Sequence, residues 1–82
     1  MSFTDDELEV LCCLPKHPIM VSVGDIAADT GISINQVIRA TRKIHQTFIL
    51  VRKVNLVGIH AAYWKQAQQC GEQYWSRTYG RQ

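Results

Sequence analysis

Eight of the nine basic side chains of this 82-residue chain stand after residue 30: Arg39, Arg42, Lys43, Arg52, Lys53, Lys65, Arg77 and Arg81. No carboxylate lies between Asp29 and Glu72, whereas the first thirty residues set Asp5, Asp6, Glu7, Glu9, Asp25 and Asp29 against Lys16 alone. The formal net charge of +2 hides this polarity. Cations spaced along an acid-free stretch can neutralise phosphates, and each phosphate neutralised also releases counterions, so a polyanion partner fits the pattern. A solvated basic face with no partner fits it as well on charge alone.

Catalysis finds no such support. No nucleophile stands with a base and an orienting acid, and neither a glycine-rich phosphate loop nor a pair of carboxylates marks a site, so the expectation is no enzyme and no cofactor. Cys12, Cys13 and Cys70 make an odd count without a CxxC pair, and neighbouring cysteines on a helix point about 100° apart. His17, His45 and His60 show no metal-ligand spacing toward them. The cysteines therefore read as small buried hydrophobes, the histidines as surface or capping groups, and no metal is expected.

The elements that must position the cations follow from local signals. A chain of this length, 46% hydrophobic, suffices for one domain over residues 1–82. Its longest apolar runs, 10–14 and 48–51, are too short to cross a bilayer, and the acidic opening SFTDDELE is the reverse of a signal peptide's start. A cytoplasmic protein with no membrane partner is expected. Thr4 before Asp5, Asp6 and Glu7 predicts an N-cap with a capping box for a helix over about 5–14, which Pro15 stops. Residues 10–14 are apolar all round, so that end is either enclosed on several sides or touches a partner. Beyond the extended PKHP loop, IMVSV at 19–23 reads as a short strand. Ser22 caps a second helix through Asp29 with Ile26 and Ala27 inward, Gly31 supplies the positive φ of a tight stop, and Ser33 caps a third helix of about 34–46.

The stretch 23–42, VGDIAADTGISINQVIRATR, resembles the helix-turn-helix of bacterial and phage DNA-binding regulators. Ala27 matches the small residue where the two helices cross, Gly31 the left-handed turn, and Ile26, Ile32, Val37 and Ala40 the apolar packing positions; the motif covers about a quarter of the chain. Downstream, FILVRKV at 48–54 and IHAAYWK at 59–65 are rich in β-branched and aromatic residues, and the intervening NLVG offers Asn55 and Gly58 for a hairpin turn. The whole looks like a winged helix-turn-helix: mainly α with a small β-hairpin, the helix-turn-helix at about 23–46, the wing at about 48–65 and a C-terminal segment at 66–82. In that segment Ala67, Cys70 and Tyr74 fall at helical spacing, which predicts a helix from 66 to about 79 despite Gly71.

The resemblance implies double-stranded DNA as partner, with the third helix in the major groove and the wing on the backbone or in the minor groove. It implies base reading by Ser33, Asn35, Gln36 and Arg39, since Asn and Gln can pair bidentately with adenine and Arg with guanine. Arg42 and Lys43 farther along the helix, Arg52 and Lys53 entering the wing, and Lys65 leaving it become phosphate contacts. Two features depart from a typical reader: Ile34 and Ile38 are apolar near the reading face, and the expected wing tip, Leu56 and Val57, carries no cation. The isoleucines suit thymine methyls, a broad core contact, or a protein partner, and a winged-helix adaptor or inhibitor of another regulator is the alternative function. Tyr74, Trp75 and Tyr79 suggest a homodimer interface on the last helix. The expected function is that of a small transcriptional regulator of bacterial or phage type.

Overall fold

A helix starts where a side chain can take up the N–H groups that its first turn leaves without partners, and this chain offers such a side chain three times. The computed structural model describes residues 3–78, with side chains through Tyr74. The elements are α1 (Asp5–Cys13), β1 (Val21–Ser22), α2 (Val23–Thr30), α3 (Ile34–His45), β2 (Leu50–Lys53), β3 (Leu56–Ile59), a 3-10 turn (Ala61–Tyr63) and α4 (Trp64–Thr78). The described chain is thus mainly helical with a small antiparallel sheet of order β1-β3-β2. No helix among the described residues is long and apolar enough to cross a membrane.

Thr4 closes the expected capping box on α1, its hydroxyl accepting from the Glu7 N–H at 3.2 Å while Glu7 Oε1 accepts from the Thr4 N–H at 2.9 Å. Ser22 accepts from the Asp25 N–H at 3.0 Å to open α2, and Gly31 ends that helix at φ 75°. Only a residue without Cβ takes that left-handed stop freely. Helix α1 is enclosed, packing against α2, α3 and α4. Its Val10, Leu11 and Leu14 are buried with Ile26, Val37, Ile44, Leu50, Val57 and Ile59 in one core. Each such side chain stabilises by about 1.5–3 kcal/mol when fully withdrawn from water. Ala27 and Ile32, the other positions matched to the motif, pack against the same core.

The hairpin differs from its expected form. Lys53 pairs with Leu56 and Leu50 with Ile59, so the turn is the two-residue Val54-Asn55 and NLVG is mostly strand. Of the expected second strand, only Ile59 belongs to β3; His60 caps the 3-10 turn that follows, and the remainder is that turn and the start of α4. Gly58 is needed for space and not for a turn: a Cβ there would stand 2.7 Å from the Ile19 carbonyl oxygen, where the loop after α1 crosses the sheet. That loop is stitched to β3, the Ile59 N–H donating to the Pro15 carbonyl at 2.8 Å and the His17 N–H to the Ile59 carbonyl at 2.9 Å. The expected wing tip moves with the turn. Leu56 and Val57 lie in β3, with Val57 buried, and the apex is Val54, 98% exposed at φ 57°. A β-branched residue in the left-handed region costs roughly 1–3 kcal/mol.

Helix α4 starts earlier than expected and includes Gly71, which is buried where α4 packs on α1, so close that a Cβ there would stand 3.3 Å from Cys12 Sγ. Ala67 and Tyr74 on the same helix enter the core.

Candidate nucleic-acid interface

The residues of α3 sort by angle. At about 100° per residue, Val37, Ala40, Thr41 and Ile44 form one stripe. All four are buried. Asn35, Arg39 and Arg42 fall within roughly 60° of one another on the opposite side. All three are exposed. Gln36 and Lys43 occupy one flank of this outward strip, Ile34 and Ile38 the other. Ile34 is 50% exposed and Ile38 half-buried. Arg42, expected on phosphate, shares the outward face with Asn35 and Arg39.

The start of α3 separates the expected readers. Ser33 Oγ accepts from the Gln36 N–H at 3.3 Å, while Gln36 Oε1 accepts from the Ser33 N–H at 3.4 Å and from the Ser33 hydroxyl at 3.1 Å. Bidentate pairing of an amide with adenine uses both its oxygen and its nitrogen. While the capping box is closed, Gln36 therefore has only its NH2 group to offer. Asn35 lies outside that box, exposed. Helices α1 and α2 carry acids in their first turns and α3 carries none, so the partial positive charge at the α3 N-terminus is not cancelled. Arg42, Lys43 and His45 complement its other end.

The hairpin lies along the isoleucine flank. Arg52 Nη2 donates to Thr41 Oγ1 at 3.3 Å, and the Thr41 hydroxyl donates to the Ile38 carbonyl at 2.7 Å. Ile38, Thr41, Arg52, Val54 and Leu56 line a cleft of about 170 Å³ between α3 and the hairpin. The Arg52 guanidinium is thus steered toward α3 by one of its five donors, with the rest left for an anion. Successive strand residues face opposite ways, so Arg52 and Lys53 project from different faces of the hairpin and do not act as a pair. Lys65, expected at the exit of the wing, stands instead in the first turn of α4 and does not line this cleft.

Tyr74 was expected at a dimer interface, yet it is 4% exposed and packs in the chain's own core, with its hydroxyl 3.3 Å from Glu9 Oε1. The Trp75 side chain and Tyr79 lie outside the described residues. One histidine acts as a cap, His60 Nδ1 accepting from the Ala62 N–H at 3.1 Å, while His45 Nδ1 accepts from the Leu50 N–H at 3.0 Å and joins α3 to β2. Cys12, Cys13 and Cys70, expected as buried hydrophobes, are only partly buried against the edge of the core; this partial burial pushes the Cys13 thiol above its ordinary pKa, with Asp29 and Glu9 adding to the effect, and alone raises that of Cys70. Such thiols are poor nucleophiles at neutral pH. Among the described residues no three His, Cys, Asp or Glu side chains come together as metal ligands.

Two residues important to this surface had been passed over. Thr41 is a lone hydroxyl inside an apolar helical stripe, a pattern visible in sequence once the stripe is drawn. Val54 had no such signal, because its position depends on where the hairpin turns. Together these elements make a ridge with amide and guanidinium donors along its crest, cations beside it and an apolar-edged cleft on one flank. Comparison of the chain with protein-family models, with curated proteins and with solved structures finds no match.

Proposed function

We propose that the chain is a winged helix-turn-helix protein that binds double-stranded DNA, with α3 in the major groove and the β2-β3 hairpin as its wing, and that it serves as a small cytoplasmic transcriptional regulator of bacterial or phage type. The observation that carries this reading is the outward strip Asn35, Arg39 and Arg42, backed by a fully buried stripe on the same helix. A helix held so firmly on one side and bearing base-pairing donors on the other suits a groove about 12 Å wide. Asn35 and Arg39 read bases, Arg42 reads or holds according to depth, and Lys43, Arg52 and Lys53 hold phosphates. Ser33 and Gln36 serve first to start the helix that presents them. A homodimer, through Trp75 and Tyr79, would match a two-fold DNA site.

Binding of the purified protein to random duplex DNA across a salt series tests this. Affinity should fall steeply as salt rises; no binding even at low salt would defeat the reading. The cleft edged by Ile38, Leu56 and Val54 favours a second reading, a protein-interaction module. Ile34→Lys separates the two. A DNA reader should keep or gain non-specific affinity and lose site preference, whereas a protein-binding module should lose its partner, because the added charge would be buried without a counter-charge. If the folded variant binds DNA with unchanged site preference, Ile34 does not touch bases.

A further inference from the structure

Val54 combines three properties that are uncommon together. It is β-branched, its φ of 57° lies in the left-handed region, and its side chain is 98% exposed at the apex of the hairpin. A two-residue hairpin loop favours φ > 0 at its first central position, and Gly, Asn or Asp ordinarily fills it. A strained, solvent-facing valine adds nothing to the core and is disfavoured by the backbone, so its side chain is free for contact with a partner.

The neighbours indicate which partner. Arg52 and Lys53 immediately precede the apex, Asn55 follows it, and the acid-free basic helix α3 lies beside the cleft that Val54 helps to line. Leu56, 41% exposed, lies behind the apex in β3, but Val54 alone forms the tip, and an apolar tip between cations and an amide suits a polyanion with an apolar interior. A protein hot spot would more usually be a packed cluster of large side chains. Duplex DNA has that constitution: phosphates outside, stacked bases within. The paired strands are about 4.8 Å apart before side chains are added, and the minor groove is about 6 Å wide, so only the apex can enter an undeformed groove.

We infer that Val54 is a wedge that enters the minor groove and partly unstacks one base step, bending the duplex, while Arg52 and Lys53 hold the flanking phosphates. This rests on the reading of the chain as a duplex-DNA binder. Apolar wedges act in this way by exchanging stacking for a bent duplex that wraps more protein surface. Flexible pyrimidine–purine steps such as TA should be the preferred points of entry.

The test uses the full chain and duplexes of about 30 base pairs with a central TA step, labelled at both ends for energy transfer. The wild-type protein should shorten the end-to-end distance, as a bend of roughly 20–90° requires. Val54→Gly should abolish the bend and weaken binding about tenfold, yet unfold at the same or a higher temperature, because glycine accepts φ > 0 without strain. Val54→Ile should retain the bend. If V54G bends the duplex as the wild type does, the wedge is wrong while DNA binding stands. If the wild type binds no duplex at low salt, the underlying reading fails and the wedge with it.

Discussion

Side chains in the outward strip of α3 differ in what they can be asked to do. Arg39→Ala or Asn35→Ala should lower discrimination between a preferred site and random DNA by about 1–3 kcal/mol while leaving the thermal midpoint nearly unchanged. Gln36→Ala should show mainly the opposite pattern, a loss of roughly 1 kcal/mol in stability, because its oxygen closes the capping box with Ser33. Competition binding on two duplexes together with thermal melts separates these outcomes. Arg52→Ala and Lys53→Ala, measured singly because they project from different faces, should each weaken binding to all sequences alike. The cysteines make a prediction of their own. Cys13 and Cys70 have raised pKa values in the folded chain, so they hold their protons more tightly there than when unfolded. Their contribution to stability is therefore complete below the unfolded thiol value of about 8.5 and declines as pH rises through the folded values. Iodoacetamide at pH 8 should modify both more slowly in the native protein than in denaturant, and equal rates would contradict their burial.

Elements, taken whole, respond to changes that no single functional side chain explains. Gly58→Ala places a methyl group 2.7 Å from the Ile19 carbonyl oxygen, a backbone atom that cannot swing aside, so the sheet and the loop after α1 must part. A loss of about 3 kcal/mol is expected, with urea denaturation as the measurement. Helix α4 is equally integral. Removing residues 66–82 would take Ala67 and Tyr74 out of the core and uncover α1, so the truncated chain should lose cooperative unfolding, and a change in its sedimentation would say nothing about dimers. Trp75→Ala combined with Tyr79→Ala is the cleaner probe of association: a dimer of the full chain at tens of micromolar should dissociate, whereas an unaffected dimer would remove these residues from the interface.

On the scale of the molecule, the proposed binding of duplex DNA would be governed in strength by charge. With Arg42, Lys43, Arg52 and Lys53 on α3 and the hairpin, Arg39 given to base reading and Lys65 apart on α4, about four phosphates per chain are available to neutralise. The logarithm of the binding constant should then fall with that of salt at a slope near −3.6 per chain, about 0.9 for each phosphate. Fluorescence anisotropy between about 50 and 200 mM salt gives this slope directly. A value near zero would mean that the basic half of the chain is a solvated face.

The starts of α1, α2 and α3 and the stops of α1 and α2 were determined by the sequence itself. Thr4, Ser22 and Ser33 each take up an N–H three residues along, Pro15 and Gly31 end helices through their own backbone preferences, and the buried and outward strips of α3 follow from its period. All of these act within a turn or two of the residue concerned, so no distant part of the chain is needed to see them. The turn of the hairpin was different: Asn55 and Gly58 both carry turn chemistry, and the choice between them rests on the Ile19 carbonyl, which requires glycine at 58 from across the sheet. That choice brought Val54 to the apex. Tyr74 likewise had the look of a surface aromatic until α4 packed on α1 and set its hydroxyl against Glu9, 65 residues earlier. Arg52 gained its direction from Thr41 on another element. Tertiary structure decided these positions because each depends on a contact between segments whose closeness in space has no counterpart in local spacing or residue preference.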